Sequence, residues 1–486
     1  MRNLLLTVFG CFTLGGQLMA QPTTDKWNLQ RCVEYAAKNN ISVKQADVQA
    51  RLAALEVERT KLAQYPSASA NTNVGTQFGR SIDPTTNLFT TTQLLFQQLN
   101  LNVNATVFNW GALKADRQIA GFNAQAALTD IERITNDVSL SIATFYLQVV
   151  AAKQQIAIAE VQVGQTASQL GFTRKRVAAG TLPELSSAEI EAQLARDSST
   201  MVSAKATYQQ AVIQLKAAIN LDMSVPFEVE IPAVNAIPLQ PLGELDPAML
   251  YQLALNNQPA QKVSDFRIKS AEASIKRAKS AFYPTISAFG GMGSNFANAA
   301  TTVTGANVIG VRPTTNFVTV NSQNYQVFQP DIQLTSSKRN FFQMWNGWGG
   351  QIEQNFRQNF GFNIQIPIFN AGSARLGYER SKLNLRTAQI NRQQADLTLQ
   401  QNIYQAHTNA TAAMQRFLAS EKSVEASQKA YDYASKRFEE GLSTTLDLIT
   451  SQNNLLRAKL DRLNNQFDYI FRIKLLEFYK GQGIKL

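Results

Sequence analysis

Residues 99–108 read LNLNVNATVF and alternate strictly between apolar and polar side chains. The apolar side chains are those of Leu99, Leu101, Val103, Ala105 and Val107, and the polar ones are those of Asn100, Asn102, Asn104 and Thr106. Because successive side chains on a strand point to opposite faces, this alternation predicts a β-strand with one apolar and one polar face. An ordinary half-solvated antiparallel strand fits the pattern, and so does a transmembrane strand between lipid and a water-filled lumen.

The same alternation returns at residues 360–368, which read FGFNIQIPI. A shift of 261 residues superposes the two stretches, and the polar positions of the second include Asn363 and Gln365. A one-residue slip would turn every side chain to the other face, so the shared phase favours two equivalent strands. Pro367 cannot donate a ladder hydrogen bond, and we expect it at the end of its strand.

The chain contains one unit twice. Tyr65-Pro66 returns 218 residues later as Tyr283-Pro284, and Gly180 returns 261 residues later as Gly441. The distance between equivalent residues increases from 218 to 261 along the chain. This increase predicts an insertion in the second copy, a long loop over residues 297–355. Four aromatic residues of this loop fit either an interfacial girdle or a collapsed surface loop: Phe341, Phe342, Trp345 and Trp348.

The repeat divides the chain into four predicted parts. These are a signal peptide at 1–20, a first structural repeat at 21–220, a linker at 221–244 and a second repeat at 245–486. Each repeat is expected to hold helices, then a β-hairpin, then a helical hairpin. The two β-hairpins are predicted at 67–108 and 285–368, and the two helical hairpins at 112–219 and 373–479.

The helical hairpins begin with two very long proline-free segments, 112–177 and 373–438. In the first, apolar residues recur every seven positions in two series, one through Val138 and Phe145 and one through Ile142 and Val149. Such a seam predicts coiled-coil-like pairing with another helix. At about 1.5 Å per residue, each long helix is expected to extend roughly 100 Å.

Composition narrows the possible functions. Residues 1–20 carry Arg2, an apolar run and Ala20 before Gln21, as in a cleaved export signal. The formal net charge is +11, but both signs are interspersed, which disfavours nucleic acid as a partner. No later stretch is long and apolar enough for a transmembrane helix. With Cys32 as the single cysteine expected after cleavage and His407 as the single histidine, we predict no enzyme activity, cofactor or metal site.

Four short strands cannot close a membrane barrel, whose smallest members need about eight. An open sheet in lipid would leave backbone groups unpaired at several kcal/mol each. If these strands span a membrane, several copies of the chain must therefore associate, and their long helices would then pack into a helical tube.

The duplicated order, the helices that end in Tyr-Pro and the two helix–turn–helix tips together resemble the TolC family of outer-membrane efflux proteins. The tips read Arg176-Val-Ala-Ala-Gly180-Thr-Leu and Arg437-Phe-Glu-Glu-Gly441-Leu-Ser. The resemblance covers essentially the whole mature chain. It implies a mainly α-helical fold with transmembrane β-structure, in which a homotrimer forms one twelve-stranded β-barrel continued by a periplasmic α-helical barrel.

The resemblance also implies roles for particular residues. The tips would dock a periplasmic adaptor protein, through Arg176, Gly180, Thr181, Arg437, Gly441 and Leu442. Asp447 matches an aspartate that narrows the tunnel entrance in the family, whereas Ser443, Thr450 and Ser186 depart from the other gate positions. Glycine capping of a helix end and an acidic residue in a first helical turn also account for these glycines and for Asp447.

The expected function is that of an exit duct in the outer membrane of a Gram-negative bacterium. It would pass substrates from an inner-membrane pump and its adaptor, in a tripartite efflux or type I secretion system, to the exterior. The barrel would contact outer-membrane lipid, with Asn100, Asn102, Asn104, Asn363 and Gln365 lining its lumen. The alternative is a periplasmic coiled-coil scaffold with a small sheet and no pore.

Overall fold

A computed structural model describes residues 26–82, 89–91, 93–230 and 239–481, so the predicted signal peptide and the middle of the predicted linker lie outside the described residues. The helices are α1 (Leu29–Asn39), α2 (Ile41–Leu62), α3 (Ala112–Ala178), α4 (Glu184–Ile219), α5 (Pro247–Asn257), α6 (Pro259–Ser280), α7 (Trp348–Gln354), α8 (Ser373–Glu439) and α9 (Thr445–Lys480). The strands are β1 (Lys26–Trp27), β2 (Ser67–Gln77), β3 (Arg80–Ile82), β4 (Phe89–Thr91), β5 (Leu94–Phe108), β6 (Glu228–Val229), β7 (Thr285–Ala299), β8 (Thr301–Val320), β9 (Gln323–Lys338) and β10 (Arg357–Gln365).

Equivalent helices of the two repeats have equal lengths. Helices α1 and α5 each have 11 residues, and α2 and α6 each have 22. The long helices α3 and α8 each have 67, and the return helices α4 and α9 each have 36. The duplicated unit that the sequence predicts is therefore present in the fold. In the part of the chain that the structure describes, no helix is both long and apolar enough to cross a membrane.

Each repeat begins with two helices that are separated by one extended residue. The first break is at Asn40, which is extended and whose side-chain amide donates to the backbone oxygen of Ala218 over 2.8 Å. The second is at Gln258, also extended. Because Gln258 precedes Pro259, the proline ring disfavours a helical backbone there.

Strands β10, β7, β5 and β2 form one antiparallel sheet in that order. Strand β5 begins five residues before the predicted stretch, since Leu94 and Leu95 pair with both neighbouring strands. Strand β10 ends at Gln365, so the alternation predicted through Ile368 is wrong beyond that residue. Pro367 lies past the strand end, as its missing N–H requires.

A β-bulge changes the alternation near the end of β5. Thr106 lies opposite Ser287 and Phe108 lies opposite Ile286, so Val107 has no partner on β7. The extra residue brings Phe108, rather than Val107, into line with the apolar side chains.

The insertion in the second repeat is not the loop that the sequence suggested. Strands β8 and β9 form a long antiparallel hairpin, followed by a 3₁₀ turn at Gln343–Trp345 and by α7. Strand β8 is rich in valine and threonine, and β9 contains Tyr325, Val327, Phe328 and Ile332, all residue types that favour extended backbone.

The chain divides into two compact units. Of the described residues, the first unit contains those up to Ala54, those within Phe122–Lys269 and those from Arg386 onward, and the second contains those within Leu55–Gly121 and Ser270–Leu385. The main core of the first unit surrounds the buried Ile142 and Tyr146, with which Cys32 packs on α1. The predicted heptad series through Ile142, Val149 and Ile156 is buried. The four-stranded sheet is the main element of the second unit.

Candidate functional site

One face of the four-stranded sheet is mainly polar, with Phe289 between Asn104 and Gly361 as an aromatic exception. On β5, Asn100, Asn102 and Asn104 lie opposite Asn71, Ser69 and Ser67 of β2. On β10, Asn363 and Gln365 lie opposite Ser287 and Thr285 of β7. Directly opposed residues of antiparallel strands share a face, and Ser287 also opposes Thr106. All five residues predicted for the lumen therefore lie on the same face of one sheet.

The polar face carries a cation that is not among the residues predicted for the lumen. Arg357 lies opposite Gly293, which in turn lies opposite Asn100. Extending the alternation backwards from Asn363 in steps of two would have reached Arg357. Its guanidinium adds positive charge to a face otherwise made mainly of amides and hydroxyls.

The opposite face of the sheet is apolar and exposed in the single chain. Its central rows hold Leu101 beside Met292, and Phe360 beside Gly290. Phe360 is 90% exposed and Phe362 is 71% exposed. A contiguous apolar surface of this kind requires lipid or another protein against it.

The two helical tips have the same backbone geometry. The Gly180 N–H donates to Val177 and the Thr181 N–H to Arg176, over 2.9 Å each. At the second tip, the Gly441 N–H donates to Phe438 and the Leu442 N–H to Arg437, over 3.0 and 2.7 Å. These bonds define Schellman caps, in which the glycine adopts a left-handed backbone. Gly180 has φ of 72° and Gly441 has φ of 76°.

Arg176 joins the first tip to the second. Its Nη1 donates to the backbone oxygens of Phe438 and Glu439 over 3.0 and 2.9 Å. These carbonyls belong to the last turn of α8, where the helix dipole favours a cation. Beneath them, the Phe438 ring is buried among Leu170, Ile190 and Leu448. The structure thus places Arg176 of the first tip against the end of the helix that leads to the second tip.

Exposed leucines flank the tips, and two of them are not among the tip residues predicted from the sequence. Leu185 is 66% exposed and Leu446 is 65% exposed, at equivalent positions of α4 and α9. Leu442, which was predicted as a tip residue, is also 65% exposed. Leucine in the exposed first turn of both return helices is a signal that the repeat alignment could have provided.

Asp447 forms a capping box at the start of α9. Its Oδ2 accepts from the Thr444 N–H and hydroxyl over 3.1 and 2.8 Å, while its own N–H donates to the Thr444 Oγ1 over 3.2 Å. These bonds to the carboxylate hold the pKa of Asp447 below its ordinary value of 3.8. The local role of Asp447 is thus helix capping, and its carboxylate remains ionised and exposed.

A buried polar layer crosses α3, α4 and α9 behind the tips. Asp197 is 3% exposed and accepts from the Thr166 hydroxyl over 2.6 Å and from the Gln193 amide over 2.8 Å. The Gln193 amide also donates to Asn453, and the Gln452 amide donates to Thr166. Fully satisfied networks of this kind fix the relative register of the helices that share them.

The described residues contain no group of three or more histidine, cysteine, aspartate or glutamate side chains that could hold a metal ion. Cys32 is fully buried, and burial raises the pKa of its thiol to about 12, which leaves it a poor nucleophile.

An amphipathic antiparallel sheet with open edges, together with duplicated pairs of long helices, defines a membrane channel protein built from strands and helices. A family model described as outer membrane efflux protein matches residues 33–221 and 250–470, and the chain belongs to this family. It is an outer-membrane efflux channel, it extends into the periplasm, and its family is a channel family rather than an enzyme family. The match favours the channel over the periplasmic scaffold.

Solved structures show the same fold. The outer membrane protein VceC of Vibrio cholerae is 15% identical, with 94% of this chain and 96% of that chain covered and a TM-score of 0.69. The Campylobacter jejuni CmeC outer membrane channel is 16% identical, with 94% and 86% covered and a TM-score of 0.69. The open state of the Neisseria gonorrhoeae MtrE outer membrane channel is 17% identical, with 94% and 88% covered and a TM-score of 0.67. A search of curated proteins found no match.

Proposed function

We propose that this channel is the passive exit duct of a tripartite efflux or type I secretion system, and that it works as a homotrimer. The observation that carries the proposal is the sheet order β10–β7–β5–β2 with every pair antiparallel. Strands β10 and β2 are the two edges and run in opposite directions. Copies can therefore add edge to edge, β10 of one beside β2 of the next, and keep the whole sheet antiparallel.

Edge-to-edge addition is a heterologous contact, and a closed ring removes every unpaired edge. Two copies would supply eight strands and three would supply twelve. We favour three, because the family resemblance implies a trimer. Each closed edge also satisfies backbone groups that would otherwise face lipid at several kcal/mol apiece.

In this ring the polar face of the sheet faces the lumen and the apolar face contacts outer-membrane lipid. The lumen is then lined by Asn100, Asn102, Asn104, Asn363 and Gln365, with Arg357 among them. Uncharged amides allow many solutes to pass, which suits a duct whose specificity lies in its pump. We further propose that the organisation is a repeat at 21–220, a linker at 221–244 and a repeat at 245–486.

At the periplasmic end, the tips dock the adaptor through Arg176, Gly180, Thr181, Arg437, Gly441 and Leu442. Exposed leucine beside glycine-capped turns offers the partner an apolar anchor within a polar rim, as protein interfaces require. Asp447 copies from three chains form an acidic ring at the entrance, which attracts cations. An inner-membrane pump supplies substrate through the adaptor.

The assembly is tested by the mass and conductance of the detergent-solubilised protein. We expect light scattering to give three chains per particle and planar bilayers to show stable single-channel steps. A monomer without conductance would refute the duct.

The tips are tested separately by Gly180→Val and Gly441→Val. A β-branched residue with positive φ is strained by about 1–3 kcal/mol, so the turn must change shape. We expect lower export and adaptor binding with unchanged trimer assembly. The matched control is Gly171→Val, which lies within α3 with open space around it and no positive φ. Normal adaptor binding by both tip variants would show that the tips are not the docking surface.

A further inference from the structure

The inserted segment lies against the apolar face of the sheet. The 3₁₀ turn places the Trp345 ring on the Phe296 ring, stacked with centroids 5.4 Å apart, and Met344 is buried beside them. One turn later, the Trp348 indole N–H donates to Gln97 of β5 over 2.6 Å. Gln97 lies opposite Phe296, on the face that also carries Leu101 and Met292.

Successive residues of the inserted segment contact successive positions along β7. Arg339 donates to the Asn298 side chain, Trp345 covers Phe296, and the Ser294 hydroxyl donates to the Ile352 backbone oxygen over 2.6 Å. Below Ile352 the covering segment ends and β10 begins. The face is thus polar and cationic at the top, aromatic in the middle and mainly apolar beneath, where Gln358 lies opposite Met292.

A crevice of about 470 Å³ opens where the segment ends. Its apolar lining comes from Ala70, Leu99, Leu101, Met292, Ile352 and Phe356. Residues of β2, β5 and β7 line it along the sheet and the end of α7 lines its upper side, so the crevice opens towards the outside of the proposed ring.

Aromatic residues mark both limits of the apolar band. Trp348 is held at Gln97, and at the other end of β5 the Phe108, Trp110 and Tyr283 rings form a cluster with centroids 5.2 and 4.6 Å apart. Eleven residues of a strand tilted by about 40° rise about 28 Å, close to the roughly 25 Å apolar band of membrane barrels. Phe342, 82% exposed, therefore lies near the outer headgroup level.

We propose that this crevice binds one acyl chain of an anionic outer-leaflet lipid, whose headgroup lies beside Lys338 and Arg339. This inference rests on the proposed function, because it takes the apolar face of the sheet as the lipid face. The exposed Lys338 and the half-buried Arg339 provide positive charge above the crevice. The four residue steps of β7 from Asn298 to Ser294 span about 13 Å, a distance that an extended acyl chain covers.

The bound lipid then stabilises the inserted segment against the barrel wall. The aromatic side chains of this segment replace lipid near the top of the sheet, and one bound lipid chain fills the gap that it leaves below. The competing occupant is a side chain of a neighbouring copy, and the experiment separates the two.

The test is binding of dioleoyl phosphatidylglycerol to the delipidated, detergent-solubilised assembly, followed by native mass spectrometry. Ala70→Phe fills the crevice from β2, and Ala68→Phe places the same ring on the same face two residues away. We expect the wild type and Ala68→Phe to retain one lipid per chain, and Ala70→Phe to bind at least tenfold more weakly. Phosphatidylcholine should bind more weakly than phosphatidylglycerol, because it lacks a net negative charge.

Equal retention by Ala70→Phe, or no retention by the wild type, would overturn the proposal and favour a side chain of another copy as occupant. Equal affinity for the two lipids would overturn the headgroup assignment. If Ala70→Phe does not assemble, Met292→Gln decides the matter by placing an amide in the crevice. Bilayer conductance of the same samples separates the two proposals. A wild type without channel conductance refutes the duct. A wild type with normal conductance, together with an Ala70→Phe variant that binds lipid as the wild type does, refutes only the lipid site in the crevice.

Discussion

Asp197 is predicted to contribute strongly to the stability of the helical region, because its buried carboxylate is shared by α3 and α4. The change to test is Asp197→Ala, which removes both acceptor oxygens from the buried layer across α3, α4 and α9. The Thr166 hydroxyl then loses its acceptor, whereas the Gln193 amide keeps Asn453 at 3.0 Å. The Gln162 amide, which donates to the same Oδ2 over 3.5 Å, also loses this acceptor, so the three partners are affected unequally.

The expected loss follows from these partners. A buried donor left without an acceptor costs about 1–3 kcal/mol, and a hydrogen bond to a charged group contributes about 1.5–3 kcal/mol. Because Gln193 retains a second acceptor, we expect Asp197→Ala to lower the free energy of unfolding by about 3 kcal/mol. Asp197→Asn keeps one acceptor oxygen and should lose about half as much.

The measurement is urea unfolding of the detergent-solubilised protein, followed by far-ultraviolet circular dichroism. Asp461→Ala is the matched control, since Asp461 lies on the exposed side of α9 and such surface changes stay within about 0.5 kcal/mol. If Asp197→Ala is no more harmful than Asp461→Ala, the layer does not hold the three helices together.

Three further predictions concern the tips. Thr444→Val removes a hydrogen bond that lowers the pKa of Asp447. In the wild type, the ionised carboxylate therefore contributes stability above pH 3.8, and this stability is lost as the pH falls through the lower pKa of the folded state. Cation preference in bilayers should therefore persist below pH 3.8 in the wild type and disappear at a higher pH in the variant. Replacing both Leu185 and Leu446 by serine should weaken adaptor binding at least tenfold in a pull-down titration, with normal trimer assembly. Phe438→Ala should lower stability by about 3–5 kcal/mol in the urea assay, because it empties the core beneath Arg176.

Each of these has a control. Ser187→Ala, in the same turn of α4 as Leu185 but with a hydroxyl bonded only to its own helix, should leave adaptor binding unchanged. If Thr444→Val loses its cation preference at the same pH as the wild type, Asp447 does not determine that preference. A loss below 1 kcal/mol for Phe438→Ala would mean that the tip core is not packed as described.

Local periodicity predicted the fold well where one face of an element is buried or apolar. The alternation from Leu99 gave the correct phase of β5, and the heptads through Ile142 gave the correct packed side of α3. The repeat offset gave the two glycine caps. These features depend on near neighbours in the chain, so they can be read from spacing alone.

Features that depend on distant partners could not be predicted in the same way. The bonds from Arg176 to the end of α8 join residues more than 260 positions apart. The layer around Asp197 requires three helices to meet at one level. The β8–β9 hairpin was read as a loop because bulges in β8 break its alternation, as at Val308 and Gly310.

The central claim is that one face of β5 contacts water and the other contacts hydrocarbon. The direct measurement is a cysteine scan from Leu99 to Thr106, with each variant in native outer membranes exposed to a charged, membrane-impermeant thiol reagent. Cys32 stays silent, because it is fully buried with a pKa of about 12. The account predicts labelling at the even-numbered positions and protection at the odd-numbered ones. Equal labelling at all positions would place both faces in water and contradict it.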